Sequence, residues 1–178
     1  MISLIGMGLL PDDRKAEGII ADLSVRENII LAMQAKRGMF KLLPMSRQNE
    51  IADKYIELLQ IKTASRETLI GQLSGGNQQK VVFAKALLTE PSIWFCDEPT
   101  QAVDVATRQE IHRLLKEEAK KGKAVLYVSS DLTELLEVAD EVAVMACGRV
   151  RKTFENKDLK PTDVLACCYE AEREENDR

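Results

Sequence analysis

The apolar positions along the chain follow two spacings, one typical of helices and one typical of buried strands. From residue 24 to residue 88, apolar residues recur every three or four positions, which predicts a mostly helical region. From residue 89 onward, short apolar runs alternate with amphipathic stretches, which predicts strands alternating with helices. This alternation favours an α/β fold with a parallel sheet and right-handed crossovers.

Short polar and glycine signals predict where these elements begin and end. Ser24 and Glu27 have the spacing of a capping box, and Asp104 and Asp131 stand at two further helix starts. Gly122 ends the helix that Asp104 opens. The predicted helices begin near Ser24, Ser46, Ser74, Asp104, Asp131 and Pro161. The predicted strands lie within 2–10, 92–96, 124–128, 141–145 and 149–154, the last two as a hairpin.

Composition and charge narrow the class of protein. The 178 residues include 25 Lys and Arg against 29 Asp and Glu, which gives a net charge of −4, and 45% of them are apolar. That balance is typical of a globular protein, and without a basic stripe it argues against a nucleic-acid partner. No apolar run approaches the ~20 residues of a membrane-spanning helix. The four cysteines lack the paired spacing of a metal site.

The first stretch with candidate chemistry is the string LSGGNQQK, residues 73–80, at the start of a predicted helix. The first amides of a helix have no partner within it, and the helix dipole favours negative charge there. Glycines let a phosphate approach the backbone, and the Ser74 hydroxyl adds one hydrogen bond. A bare Ser-Gly-Gly is more often a plain helix cap, but the eight-residue string is far more specific.

A second stretch is an apolar strand that ends in two acids, Asp97 and Glu98. It places both at the carboxyl edge of a parallel sheet, where α/β proteins bind ligands. Because successive side chains on a strand point opposite ways, we expect different roles for the two. Asp97 suits Mg²⁺, which prefers oxygen ligands and keeps waters, and Glu98 suits a general base for an attacking water. A solvated strand end is the alternative, and the pair alone leaves it open.

In their order along the chain, these motifs resemble those of the ATPase subunits of ABC transporters. Residues 73–80 resemble the ABC signature, and residues 93–98 resemble Walker B with its catalytic glutamate. Residues 101–104 resemble the D-loop. Residues 128–131 fall at the switch position, with Ser130 where most members of the family have histidine.

The opening of the chain narrows the resemblance. GLLPDDRKAEG, residues 8–18, followed by LSVREN, residues 23–28, is similar to the second cassette of the two-cassette monosaccharide importers of the ribose, galactose and xylose type. In those cassettes an acidic residue stands at the Q-loop position, and here that residue is Asp12.

The resemblance implies a partial P-loop NTPase-like fold of the ABC ATPase type, with a parallel sheet, helices and an inserted helical subdomain. It also implies four segments along the chain. These are a Q-loop-like core segment at 1–23, a helical subdomain ending in the signature helix at 24–88, the core with Walker B, D-loop and switch at 89–160, and a C-terminal helix with an acidic tail at 161–178.

The resemblance further implies ATP binding and hydrolysis with Mg²⁺ to drive sugar import. Glu98 would be the catalytic base and Asp97 the metal ligand, with Asp104 in the D-loop. Two cassettes of this family pair head to tail, so the signature would reach ATP held by a partner. The signature residues that would bind ATP in trans are Ser74, Gly75, Gly76 and Gln78.

The implied partners are a second cassette or a homodimer, an integral membrane permease that residues 24–72 contact, and indirectly a periplasmic or extracellular sugar-binding protein. The implied location is the cytoplasmic face of the membrane. No GxxxxGKS or GxxxxGKT string occurs in the chain, so we expect a cassette that lacks its phosphate-binding P-loop and is inactive alone. Two alternatives stay open: a non-catalytic truncated remnant and a soluble, non-transport ABC protein. His112, the only histidine, is predicted at the surface or boundary of a helix and not as a displaced switch.

Overall fold

The structure, a computed structural model, describes residues 6–38 and 41–176, and side chains as far as residue 170. It contains two compact units, the first ending at Val128 and the second beginning at Ser129. The predicted strand residues 2–5 and the last two residues of the predicted tail lie outside the described residues. Within the described part of the chain, no helix has the length and apolar character to cross a membrane.

The first unit is built on a three-stranded parallel sheet. Its strands are β1 (Met7–Leu10), β2 (Ile93–Asp97) and β3 (Ala124–Val128), in the order β1-β2-β3. This confirms the predicted parallel sheet. The helices of this unit are α1 (Val25–Arg37), α2 (Met45–Leu58), α3 (Gly75–Leu87) and α4 (Val105–Lys120).

The core of the first unit lies on one face of this sheet. Trp94 of β2 is fully buried and stacks on Phe83 of α3, with ring centroids 4.9 Å apart. Cys96 and Leu10 are buried on the same face. Burial raises the pKa of the Cys96 thiol to about 12, so this cysteine stays protonated and unreactive at neutral pH.

The start of α1 shows the predicted capping box. The Glu27 backbone nitrogen donates to Ser24 Oγ at 3.2 Å, and the Ser24 nitrogen donates to Glu27 Oε2 at 2.8 Å. Hydrogen bonds from the Ser24 backbone and side chain lower the pKa of Glu27. In the first turn of α1, the buried Arg26 donates to both carboxylate oxygens of Glu67, at 2.9 and 3.0 Å. The start of α1 is therefore fixed to the loop that precedes the signature string.

The second unit contains the predicted hairpin. Its strands β4 (Glu141–Ala146) and β5 (Arg149–Glu155) pair antiparallel as a separate two-stranded sheet. The helices are α5 (Leu132–Val138) and α6 (Pro161–Asn176). Val142, Val144 and Val164 form its small core.

The helix predicted near Ser46 is confirmed; it begins at Met45, after Pro44, without a side-chain cap. Two local features differ from the sequence prediction. Arg14–Gly18 forms a π-helical turn where the sequence predicts only a turn at residues 11–13. His112 was placed at the surface or boundary, but it is buried at 7% exposure because its ring packs edge-on against Tyr127, with Nε2 3.2 Å from the hydroxyl oxygen. The four-segment division of the chain stays a prediction.

The capping box predicts a measurable contribution to stability. Ser24→Ala removes the side-chain oxygen that satisfies the Glu27 amide, so we expect a loss of about 1 kcal/mol in the free energy of unfolding of the first unit. The measurement is urea unfolding followed by fluorescence of the single tryptophan, Trp94. Ser46→Ala is the control and should have almost no effect, because no side chain caps α2. Equal stability of the two variants would contradict this account of the helix start.

Candidate functional site

The N-terminal tip of α3 differs from the other helix starts that follow a polar residue. Ser24, Asp104 and Asp131 each accept a hydrogen bond from a first-turn amide of their helix. Ser74 occupies the same position at α3, but its side chain does not cap the helix and is exposed. Its Oγ instead accepts a hydrogen bond from Asn77 Nδ2 at 2.9 Å. The first amides of α3 therefore have no side-chain cap, which suits an external anion.

Gly75 lies where α3 meets two other segments. A Cβ atom at this position would lie 2.6 Å from Arg14 Nη2 and 3.2 Å from the carbonyl oxygen of Ala102. No side chain fits there without displacing the guanidinium. Packing within the chain therefore disfavours a side chain at this position, independently of any ligand, although the end of the long Arg14 side chain can shift.

Gly76 contacts the start of α4 in the same way. A Cβ atom there would lie 2.8 Å from Thr107 Oγ1 and 3.2 Å from Asp104 Oδ2. Asp104 accepts from the Thr107 backbone nitrogen and from its hydroxyl, both at 2.9 Å. These bonds lower the pKa of Asp104. The predicted helix cap at Asp104 is confirmed, and the tip of α3 packs directly on it.

Gln78 faces inward from the first turn of α3. It is 6% exposed, and its Nε2 donates to the carbonyl oxygens of Ile70 at 3.3 Å and Leu73 at 3.0 Å. Its amide therefore shapes the loop that leads into Ser74. A direct contact between Gln78 and a nucleotide stays a prediction.

The loop after β2 carries the two predicted acids. Asp97 is the last strand residue, whereas Glu98 has a left-handed backbone with φ +42°. The chain therefore turns at Glu98, and the rule that strand side chains alternate does not fix the direction of this side chain. The Glu98 nitrogen donates to the carbonyl of Val128 at 3.0 Å, and its own carbonyl accepts from the Gln101 nitrogen at 3.0 Å.

Two sets of contacts that hold this loop were missed by sequence reasoning. Arg14 Nη1 donates to the carbonyl oxygen of Gln101 at 2.9 Å. The buried Thr100 has its hydroxyl 3.4 Å from the Tyr127 hydroxyl, which in turn lies 3.2 Å from His112 Nε2. Arg14 lies within residues 8–18, the segment whose sequence resembles the monosaccharide importers, so the sequence marked this segment as important. Nothing in the sequence indicated that the Arg14 side chain contacts residue 101.

An open cleft of about 500 Å³ lies beside β1 and β2, with Leu9 and Phe95 in its floor and carboxylates at its edge. The carboxylates are those of Asp12, Asp13, Glu17 and Asp97. Among the described residues, no three His, Cys, Asp or Glu side chains are close enough to hold a metal ion by themselves. The site nevertheless fits Mg²⁺, which takes one or two carboxylates and completes its shell with water and phosphate oxygens.

Ser130 lies in the second unit, directly before the start of α5. It is exposed, and the adjacent Asp131 caps α5 by accepting from the Glu134 nitrogen at 3.1 Å. The Ser129 hydroxyl accepts from the Asp131 nitrogen at 3.1 Å. The described contacts account for the shape of this turn, while the switch role of Ser130 stays a prediction.

The fold and the site define a class of protein. Residues 6–101 match the family model described as ABC transporter, so this chain belongs to that family. Its fold is similar to that of an ATP-binding cassette solved as a dimer in a post-hydrolysis state bound to ADP and Pi. That similarity has a TM-score of 0.71 at 23% identity and covers 87% of this chain and 66% of the other. The expected ABC ATPase fold is thereby confirmed.

The most similar curated relatives include ATP-binding proteins of sugar transporters. The galactofuranose transporter ATP-binding protein of Escherichia coli (strain K12) is 49% identical over 143 residues, which cover 80% of this chain and 29% of that protein. The xylose import ATP-binding protein of Moorella thermoacetica is 38% identical over 162 residues, or 91% of this chain and 32% of that protein. The chain thus spans about a third of the length of these relatives.

The packing of the α3 tip on the α4 cap predicts the effect of one substitution. Gly76→Ala places a methyl group 2.8 Å from Thr107 Oγ1, so Thr107 must move away from Asp104. We expect the first unit to lose about 1–3 kcal/mol of stability. We also expect the pKa of Asp104 to rise towards its ordinary value, because hydrogen bonds from Thr107 hold it low.

Urea unfolding and carbon-detected NMR titration of the Asp104 carboxyl measure these two effects. Gly71→Ala is the matched control, because its Cβ would meet its nearest neighbour, the Ala21 carbonyl oxygen, at an ordinary 3.4 Å. If both glycine variants unfold at the same urea concentration and leave the Asp104 titration unchanged, the packing of Gly76 on the α4 cap is not what requires glycine there.

Proposed function

We propose that this chain forms part of the second ATP-binding cassette of a monosaccharide importer, and that the tip of α3 binds the terminal phosphate of ATP held by another cassette. The observation that carries the proposal is the start of α3, where no side chain caps the first amides and the Ser74 side chain is exposed, with Gly75 half-buried and Gly76 buried behind it. The names of the relatives, a galactofuranose transporter and a xylose import protein, support a sugar as the transported molecule.

In this proposal the signature acts in trans. The Ser74 hydroxyl and the backbone amides of Gly75 and Gly76 contact the phosphates of the partner's ATP. The missing side chains of the two glycines serve a second purpose, since they let the tip pack on Arg14 and on the α4 cap. Gln78 also belongs to the signature residues, and its side-chain amide donates to the Leu73 carbonyl oxygen in the loop before Ser74.

The loop after β2 serves the other ATP site of the pair. Glu98 accepts the proton of the attacking water, and Asp97 holds Mg²⁺ together with waters and phosphate oxygens. When bound, Mg²⁺ neutralises the charge that develops on the phosphates. Asp12 stands beside this site at the Q-loop position, in the same cleft as Asp97.

Asp104 contributes to the same site as the D-loop residue that caps α4. Ser130 takes the switch position. A serine there is shorter than histidine and never cationic, so we expect a weaker contact with the γ-phosphate on this side. We therefore propose that the ATP site served by Ser130 is the less active of the two.

One face of the parallel sheet carries partly exposed apolar side chains in the described part of the chain. Ile93, Leu126 and Val128 lie on this face and are 41%, 54% and 42% exposed. Parallel sheets are normally covered on both faces. None of the 178 residues forms a GxxxxGKS or GxxxxGKT string. We propose that a phosphate-binding P-loop segment packs on this face and supplies the cradle for the ATP at Glu98.

The partners in this proposal are a second cassette or a second copy of this one, and an integral membrane permease at the cytoplasmic face of the membrane. Residues 24–72 provide the permease contact, and α2 carries the exposed apolar side chains of Met45 and Leu58 within them. A sugar-binding protein outside the membrane takes part only indirectly, through the permease. Sugar specificity lies outside this chain.

The in-trans signature predicts the effect of Ser74→Arg. The 178-residue chain is mixed with an intact cassette, and the stimulated hydrolysis of Mg·ATP is measured. We expect a loss of about tenfold or more, because a bulky side chain replaces a hydroxyl donor at the phosphate. Ser46→Arg, at an exposed position in the first turn of α2, is the control and should keep the stimulation.

Three results would decide against parts of this proposal. Full stimulation by Ser74→Arg would contradict the in-trans role of the signature. No stimulation by the unmodified chain would favour the non-catalytic alternative. Tight binding of Mg·ATP by the chain alone, measured by calorimetry, would contradict the absence of a phosphate cradle.

A further inference from the structure

Arg14 joins two segments that are far apart in sequence. Its Nη1 donates to the Gln101 carbonyl oxygen, 87 residues away, at 2.9 Å. Its Nη2 fills the space that a side chain at Gly75 would need, 2.6 Å from the position of the missing Cβ. One guanidinium therefore contacts the tip of α3 and the loop 98–104 at the same time.

The loop 98–104 has a conformation that needs external support. Glu98 and Ala102 both have left-handed backbones, with φ +42° and +54°, although neither is glycine. Such residues persist only where their surroundings fix them. Gln101 precedes Ala102, and its carbonyl oxygen is the atom that Arg14 holds. Arg14 thus fixes the peptide between the two strained positions.

The segment that carries Arg14 is itself fixed to α3. Gly18 packs so closely on Val82 that a Cβ would lie 3.0 Å from its methyl carbon. The half-buried Lys85 donates to the Gly18 carbonyl, and its partial burial lowers the pKa of that lysine. Asp13 caps the turn by accepting from the nitrogens of Lys15 and Ala16, both at 3.0 Å. Arg14 therefore extends from a base that is attached to the signature helix.

We propose that Arg14 is a positioning residue that holds the α3 tip and the loop 98–104 in one fixed arrangement. The catalytic consequence rests on the proposed function, in which the tip and Glu98 serve two different ATP sites. A shift of the α3 tip would then move the loop that carries Glu98, because the Arg14 guanidinium contacts both. The geometric part of the proposal stands independently of ATP.

The shape of the side chain explains why arginine is needed. A guanidinium is a planar fork that presents donors in two directions, whereas an ammonium is a single point charge on a flexible stem. Lysine at position 14 is expected to reach the Gln101 carbonyl or the space beside Gly75, but not both. Arg14→Lys should therefore restore only part of the function lost in Arg14→Ala.

Hydrogen exchange of the full 178-residue chain without nucleotide tests the geometric part. Arg14→Ala should raise the exchange rate of the amides of residues 100–104 about tenfold, because a charge-assisted hydrogen bond is lost. Gly75→Ala should also raise it, because its methyl group displaces the guanidinium from Gln101 and approaches the Ala102 carbonyl oxygen to 3.2 Å. The double variant should exchange no faster than Gly75→Ala alone, since that variant already removes the Arg14 contact.

Arg47→Ala is the matched control, because Arg47 forms an exposed ion pair with Glu50 on α2 and should leave these amides unchanged. Unchanged exchange at residues 100–104 in Arg14→Ala, or additive effects of Arg14→Ala and Gly75→Ala, would overturn the proposal. If Arg14→Ala does not fold, Arg14→Lys gives the decision, because it should raise the same exchange rates by a smaller factor.

ATP hydrolysis in the mixture with an intact cassette tests the catalytic part. Arg14→Ala should lower kcat about tenfold while KM for Mg·ATP changes by less than about twofold, because positioning and not binding is lost. Arg14→Lys should recover part of the rate. An unchanged kcat, or a loss confined to KM, would overturn the catalytic consequence. A wild-type chain without any stimulation would instead contradict the proposed function, and the exchange result would still decide the placement of Arg14.

Discussion

The close contact of three segments at two adjacent glycines is the constraint on which the rest of this site depends. Gly75 and Gly76 let the start of α3 approach Arg14 on one side and the Asp104–Thr107 cap on the other. A methyl group at Gly75 would displace the Arg14 guanidinium, and one at Gly76 would press on the Asp104–Thr107 cap. Ser74 at the end of the tip stays exposed, while Gly75 is half-buried and Gly76 is buried in this contact.

The helix starts fall into two kinds: those whose first amides are capped by a side chain, and the candidate binding site, whose first amides are not. At Ser24 and Asp104, side-chain oxygens satisfy the helix amides, and the pKa values of Glu27 and Asp104 are lowered by the hydrogen bonds of these caps. At Ser74 the hydroxyl is bonded to Asn77 and the helix start has no side-chain cap. A bound phosphate would require helix amides that no side chain of the protein has already capped. The start of α3 meets this requirement, whereas the starts at Ser24 and Asp104 do not.

Sequence reasoning predicted the elements well because their signals are local. The capping box at Ser24, the cap at Asp104 and the parallel strands follow from short-range spacing and apolar runs. It missed the burial of His112 and the reach of Arg14, because both depend on partners 15 or 87 residues away. It also treated Glu98 as a strand residue, since nothing in a single sequence reveals a left-handed backbone at a residue other than glycine.

The most direct test of the central claim is hydrogen exchange at the α3 tip in the presence of an intact cassette and Mg·ATP under conditions that block hydrolysis. We expect the amides of residues 75–77 to become protected only when both the cassette and the nucleotide are present, because the phosphate that binds them is carried by the partner. Unprotected amides in the full mixture, or equal protection by nucleotide alone, would contradict the claim.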